Sequence, residues 1–234
     1  MVYCVPNFQN PQGTTLSASR RQQLVRLAQE HDFGIVEDDP YGALRFDGAH
    51  EPSLLSLSAT DGVIEHSPVI QVGTFSKVLA PGLRIGWIVA SADLIEKLGC
   101  AKQAMDLHTS TLNQWLVLET IRSGCLAAQL PRLITAYRER RDAMLSALEE
   151  HLSGYAIWTR PAGGMFLMLT LGDGVNARDL LARTIEQKVA FVPGEEFHLN
   201  GEGTDTARLN FSNANPENIR EGIRRLAGCL CAVS

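Results

Sequence analysis

Three short segments of this 234-residue chain carry side chains suited to chemistry on a small anionic ligand: Asn7 to Gly13, Glu37 to Tyr41, and Thr74 to Arg84. Each is polar or glycine-rich, and each directly follows an apolar run that reads as a strand. In open α/β sheets ligands bind beyond the carboxyl ends of the strands, so three such segments can converge on one ligand. Asn10 and Tyr41 can hydrogen-bond an oxygen, and Asp38 or Asp39 can pair with a cationic nitrogen. Thr74, Ser76 and Arg84 can hold a phosphate together, arginine offering a fork of donors suited to phosphate oxygens. Lys77 sits among these groups. A lysine that is desolvated or close to other cations loses its proton more easily and becomes an amine nucleophile.

The elements that must position these residues follow from periodicity. Val2 to Val5, Phe33 to Val36, Val69 to Gly73 and Ile85 to Ala90 are compact strand signals that alternate with helical patterns, the mark of an α/β domain. A helix is expected after Ser17, with that serine as N-cap and Leu24, Leu27, Ala28 and His31 on one face. Asp93 to Arg122 reads as helix broken near Leu107 to Thr111. Leu130 to Leu152 reads as a second long helix with an apolar stripe through Leu133, Ile134, Tyr137, Met144, Leu148 and Leu152. Its charge run, Arg138 to Asp142, is expected to be a solvated face.

Beyond Gly154 the pattern changes. Met165 to Leu171 alternates as a strand, a helix follows over Ala177 to Gln187, and a strand is expected at Val189 to Val192. Leu209 and Phe211 fall on one face and Arg208 on the other. Asn215 and Pro216 mark the start of a last helix, with Ile219, Ile223, Leu226 and Leu230 as its stripe. The domain boundary is expected inside the long helix, giving domains 1–150 and 151–234.

An amine nucleophile, an acid for a ring nitrogen and a phosphate cup together match the needs of pyridoxal 5'-phosphate (PLP). At this point five stretches carry a resemblance: FQNPQG (Phe8 to Gly13), DDPYGALRF (Asp38 to Phe46), GTFSKVLAPGLRIGW (Gly73 to Trp87), PAGGMF (Pro161 to Phe166) and RLNFS (Arg208 to Ser212). In this order and at these separations the chain resembles the fold-type I PLP aminotransferases of class I/II. FQNP and DDPY look most like the branch of 2-aminoadipate and kynurenine/aromatic aminotransferases. The fold implied is a partial large domain, a mostly parallel sheet with helices, plus a C-terminal α+β small domain.

The resemblance also implies roles. Lys77 matches the lysine that bonds the cofactor and shuttles a proton at the substrate α-carbon. Asp38, three residues before Tyr41, matches the carboxylate that keeps the pyridine nitrogen protonated, with Asp39 as its solvated neighbour. Tyr41 and Asn10 match the pair that hydrogen-bonds the cofactor's 3′ oxygen. Arg84, Thr74 and Ser76 match the phosphate cup, and Arg208 matches the arginine that grips the substrate α-carboxylate. The substrates implied are an amino acid and a 2-oxo acid, and the full-length form is expected to be a homodimer.

In the family a long section precedes the point where this chain begins, supplying a further phosphate loop, an aromatic ring over the cofactor and dimer contacts. The chain is therefore expected to be truncated and impaired alone, with an unpaired sheet edge and an exposed apolar face. Two other functions share the fold: the PLP-sensing effector domain of a winged-helix transcription regulator, and another PLP reaction such as C–S lysis or decarboxylation.

Composition narrows the classes. The net charge is −5 and 45% of the residues are apolar, which speaks against nucleic acid or anionic membrane as a partner. No apolar run reaches the roughly 18 residues that span a bilayer, and no signal peptide is visible, so a cytoplasmic location is expected. Cys4, Cys100, Cys125, Cys229 and Cys231 form no CxxC pair and are expected to be buried reduced thiols, with neither disulfide nor metal. His50, His66, His108 and His198 show no partner pattern and are given no role.

Overall fold

Alternation along the early strands decides which face of the first sheet is covered. Ile35 and Glu37 are buried while Val36 and Asp38 are half-buried, so one face of this strand lies under helices and the other is more open. The structure is a computed structural model that describes residues 1–59, 61–172 and 174–231. It divides into two compact units, one of Met1–Asn7 and Thr15–Leu133, the other of Phe8–Thr14 and Ile134–Ser234.

In the first unit, β1 (Val2–Cys4), β2 (Ile35–Asp38), β3 (Val69–Thr74) and β4 (Gly86–Val89) form a sheet in that order. The first three are parallel, and β4 is antiparallel to β3. Helices α1 (Ala18–Glu30) and α2 (Leu54–Ser58) cover one face. Val25, Ala28, Ile35, Leu54, Leu55 and Val69 make that core. Fully burying a side chain such as Ile35 or Leu54 contributes roughly 1.5–3 kcal/mol.

Two charged side chains share this interior. Arg21 and Glu37 are both 0% exposed. The stripe of α1 that faces the core is Arg21, Val25 and Ala28. The expected stripe is thus corrected: Leu27 and His31 are exposed, because a buried arginine takes the place an apolar residue would have marked. Ser17 precedes the helix as expected, but its hydroxyl caps no backbone N–H.

Glu37 accepts from the backbone N–H groups of Leu54 at 2.8 Å and Leu55 at 3.1 Å, so both its oxygens hold the first turn of α2. Burial pushes its carboxyl up from the ordinary value, although those two bonds and Arg21 pull it down. A glutamine here can accept from only one of the two N–H groups and turns a donor toward the other. Glu37→Gln is therefore expected to cost about 1–3 kcal/mol of stability in a urea titration. Because the folded-state carboxyl is raised, its contribution is fully present below the unfolded value and is lost as pH rises through the folded one. The gap between wild type and variant should widen on acidification from neutrality toward the ordinary carboxyl range. A gap that narrows would contradict this account.

Helices α3 (Ala92–Asp106) and α4 (Thr111–Arg122) are separated where the sequence reading placed the break, with Leu107 at φ 64°. Helix α3 buries no residue and α4 only Val117. All four residues of β4 are exposed, Trp87, Ile88 and Val89 among them.

Helix α5 (Cys125–Leu152) is continuous through Pro131. Its buried residues are Arg141, Ala143, Met144, Ala147, Leu148 and Leu152. The two units divide between Leu133 and Ile134, before this buried stretch, whereas the sequence reading put the boundary near residue 150. The charge run is not wholly solvated, since Arg141 is buried and donates to the Pro161 carbonyl at 2.9 Å.

The second unit holds β5 (Ala156–Trp158), β6 (Phe166–Leu171), β7 (Val192–Pro193) and β8 (Thr206–Asn210), in the order β5-β6-β8-β7 and antiparallel throughout. Five of the six residues of β6 are buried, so this strand is covered on both faces and does not simply alternate. The strand expected at Val189 to Val192 shrinks to β7. Helix α6 (Ala177–Glu186) is capped by the Asn176 side chain. Helix α7 (Pro216–Cys231) starts as its signal predicts, Asn215 Oδ1 accepting from the Asn218 N–H at 2.8 Å, and its stripe Ile219, Ile223, Leu226 and Leu230 is buried. None of the five thiols is buried: Cys100, Cys125 and Cys231 are exposed, Cys4 and Cys229 half-buried. Among the described residues no helix is long and apolar enough to cross a membrane.

Candidate active site

Parallel pairing of β2 with β3 sets their carboxyl ends side by side. Asp38 is in register with Val72, and the Asp39 N–H donates to the Val72 carbonyl at 3.0 Å. The segments leaving these strands therefore start from adjacent points, and they carry Asp38 and Tyr41 on one side, Thr74, Ser76 and Lys77 on the other. Register also puts Asp38, Val72 and Thr74 on one sheet face, together with Val36.

The two aspartates separate by what they already hold. Asp39 is half-buried and accepts from the Gly42 N–H at 2.8 Å, closing the turn that leads to Tyr41. It is not the solvated neighbour expected of it. Asp38 takes no part in that turn. Tyr41 is 6% exposed.

After β3 the chain turns tightly. Thr74 Oγ1 donates to Ser76 Oγ at 3.0 Å or to the Ile85 carbonyl at 3.2 Å, and accepts from the Ser76 N–H at 3.0 Å. The two hydroxyls are thus held together as a pair. Lys77 is half-buried, and among the described residues no hydrogen bond or ion pair engages its Nζ.

Arg84 follows a 3-10 turn over Pro81–Leu83 and has φ 54°, ψ 41°, a left-handed conformation that an ordinary side chain adopts at a cost. It is exposed, and among the described residues its guanidinium bonds only the Pro81 carbonyl, at 3.3 Å. The structure pairs Thr74 with Ser76 but records no bond from Arg84 to either. The Asn113 side chain from α4 donates to the Leu83 carbonyl at 3.0 Å and ties this turn down.

The second unit joins Asn10 to Arg208 across 198 positions of sequence. Arg208 Nη1 donates to Asn10 Oδ1 at 2.8 Å. Arginine can only donate, so it fixes the amide with oxygen inward and leaves the NH2 to donate elsewhere. The Arg208 guanidinium lies over the rings of Phe166 at 4.4 Å and Phe197 at 5.1 Å. Stacked on two aromatic faces, it is held in orientation. The segment bearing Asn10 can lie against β6 because Gly13, at φ 70°, has no side chain. A Cβ there would stand 2.5 Å from the Phe166 carbonyl oxygen.

Sequence reasoning missed three residues beside the candidates: Arg21, Glu37 and Tyr3. Arg21 binds backbone on both sides of the segment that carries Asn10, taking the carbonyls of Pro6 at 3.0 Å and Leu16 at 2.7 Å, along with Pro52 and the Asn7 side chain. Tyr3 on β1 donates its hydroxyl to Asp38. For Glu37 and Tyr3 the signal was strand parity, which places Glu37 with Ile35 and Tyr3 with Val36.

The family model for aminotransferase class I and II matches residues 2–226. The aromatic-amino-acid aminotransferase 1 of Thermococcus litoralis is 47% identical over 97% of this chain and 53% of its own length. The 2-aminoadipate transaminase of Thermus thermophilus is 42% identical over 98% of this chain and 57% of its own. The crystal structure of Pyrococcus horikoshii kynurenine aminotransferase in complex with PMP superposes with a TM-score of 0.92 at 44% identity, covering 99% of this chain and 56% of that one. The chain thus spans about half the length of the relatives it matches. Family model, sequence relatives and solved structure agree on one statement: this chain belongs to the class I and II aminotransferases.

Proposed function

We propose that the protein is a PLP-dependent aminotransferase that moves an amino group between an L-amino acid and a 2-oxo acid. The observation that carries this is the donor set at the ends of β2 and β3. An unengaged lysine, a carboxylate outside its turn, a buried tyrosine and a paired threonine and serine all issue from one end of one sheet. Those residues fit PLP in chemistry: Lys77 would bond it, Asp38 would hold its ring nitrogen as a cation, and Tyr41 would meet its 3′ oxygen. Thr74 and Ser76 would hold its phosphate, with Arg84 as their cationic partner. When bound, PLP supplies an electron sink for the pair left at the substrate α-carbon.

The chain's own residues do the rest. Lys77, as a free amine, would hold and move the proton at the substrate α-carbon. Asn10, its oxygen held by Arg208, would offer its NH2 to the cofactor's 3′ oxygen. Arg208 receives the substrate α-carboxylate in two parallel hydrogen bonds. In this reading the first unit is the cofactor-binding part and the second the small domain, and the protein works in the cytoplasm as a homodimer.

Arg208→Lys tests the carboxylate contact. A point charge cannot reproduce a stacked, bidentate fork, so KM for every amino-acid donor should rise about 10- to 100-fold with a smaller change in kcat. An unchanged KM would remove Arg208 from substrate binding. The reaction class is tested by products. Supplied with PLP, an amino acid such as L-2-aminoadipate and 2-oxoglutarate, the chain should form a new oxo acid and glutamate in equal amounts. Release of ammonia or CO₂ instead would move the protein to a lyase or decarboxylase. PLP binding with no turnover of any donor would favour the sensor domain.

A further inference from the structure

Asp38 is the residue on which the proposed chemistry depends most after Lys77, and its carboxylate could rotate freely at a strand end. The torsion that turns a carboxylate plane is broad and only weakly preferred by itself. Something must set it if one oxygen is to meet a ring N–H in line.

Tyr3 has the required position. It lies on β1 opposite Val36 of β2, so its side chain rises from the sheet face shared by Val36 and Asp38. That is the face away from Ile35 and Glu37, which pack under α1 and α2. From there the hydroxyl donates to Oδ2 of Asp38. Among the described residues, no other hydrogen bond engages that carboxylate. We propose that Tyr3 is a positioning residue for Asp38: its hydroxyl occupies Oδ2, fixes the carboxylate plane, and leaves Oδ1 as the acceptor for a cationic ring nitrogen. This rests on the reading of Asp38 as the partner of PLP.

The donor is durable. Partial burial and the bond to Asp38 push the Tyr3 phenol up to about 12, so it keeps its proton throughout the neutral range. Tyr3 is 63% exposed, and a phenylalanine at this position keeps the ring and loses only the O–H. The arrangement is the carboxylate counterpart of an outer partner that orients a ligating group without touching the ligand.

The experiment loads wild type, Tyr3→Phe and Asp38→Asn with PLP labelled with ¹⁵N in its ring, and reads the ring nitrogen by NMR beside borohydride trapping at Lys77. The ring nitrogen of Tyr3→Phe should move from the protonated position of wild type toward that of Asp38→Asn, while the yield of trapped adduct stays at the wild-type level. Where turnover is measurable, kcat should fall about 10-fold with KM little changed. A Tyr3→Phe ring nitrogen that coincides with wild type overturns the proposal and leaves the PLP reading standing. Absence of any trapped adduct in wild type sinks the PLP reading, and the proposal with it.

Discussion

Lys77→Ala is expected to abolish covalent capture of PLP. Purified wild-type chain mixed with PLP should develop a visible band distinct from the free aldehyde, and borohydride should convert it to a stable adduct approaching one per chain. The variant should show only free PLP and no adduct by mass. The argument is one of chemistry and place. Lys77 is a half-buried amine that no other side chain engages among the described residues, three residues past the end of β3 and close in sequence to the Thr74 and Ser76 hydroxyls. An amine in that setting is the nucleophile the donor set lacks otherwise. Turnover, where present, should fall by at least about 10²–10⁴-fold, the range for removing a positioned acid–base group. Equal adduct in the two proteins would mean that another lysine captures PLP and would remove the central residue of the proposed function. A spectrum of free PLP from wild type as well would sink the PLP reading.

The second large effect is on stability. Arg21→Met should cost about 3–5 kcal/mol, the range for removing one partner from a buried charged network. Arg21 is 0% exposed and makes four hydrogen bonds, to the carbonyls of Leu16, Pro52 and Pro6 and to Asn7 Oδ1. Methionine fills much of the volume but donates nothing, so it strands four acceptors in an interior where an unmet polar group is expensive. Net stabilities of proteins are typically only about 5–15 kcal/mol, so a large share would be lost. Chemical denaturation followed by far-ultraviolet dichroism would read it as a lower midpoint. Arg21→Lys should fall between, since an ammonium has three donors and no planar fork. A loss below about 1 kcal/mol for the methionine variant would show that water replaces the arginine and that the network is not structural.

These two residues mark the limits of what was legible beforehand. Lys77 stood out because its neighbours, Thr74, Ser76 and Arg84, are unusual company for a surface lysine, and because a strand pattern ended just before them. Elements with a single apolar face were equally readable. Helix α7 announces its start at Asn215 and Pro216 and its stripe at Ile219, Ile223, Leu226 and Leu230. Arg21 and Glu37 were not, because a charged residue inside a regular pattern reads as solvent-facing. Only parity, Glu37 with Ile35 and Arg21 with Val25 and Ala28, betrays them. The joining of Asn10 to Arg208 is illegible for another reason: no local pattern couples residues so far apart in the chain. Strand β6 misled through its burial on both faces, which erases the alternation that a one-sided strand shows.

The contact between Gly73 and Trp87 has an optical consequence. The two residues face each other across β3 and β4, and the indole lies so close that any Cβ at position 73 would run into the ring. An indole is thereby fastened beside the strand that ends at Thr74 and leads to Lys77. A chromophore captured at Lys77 would draw excitation energy from that ring, so arrival of the ligand should dim the chain's own ultraviolet fluorescence without any label. Trp115 and Trp158 complete the set of three tryptophans, and replacing each with phenylalanine would leave Trp87 as a single native lamp on the chemistry next to it.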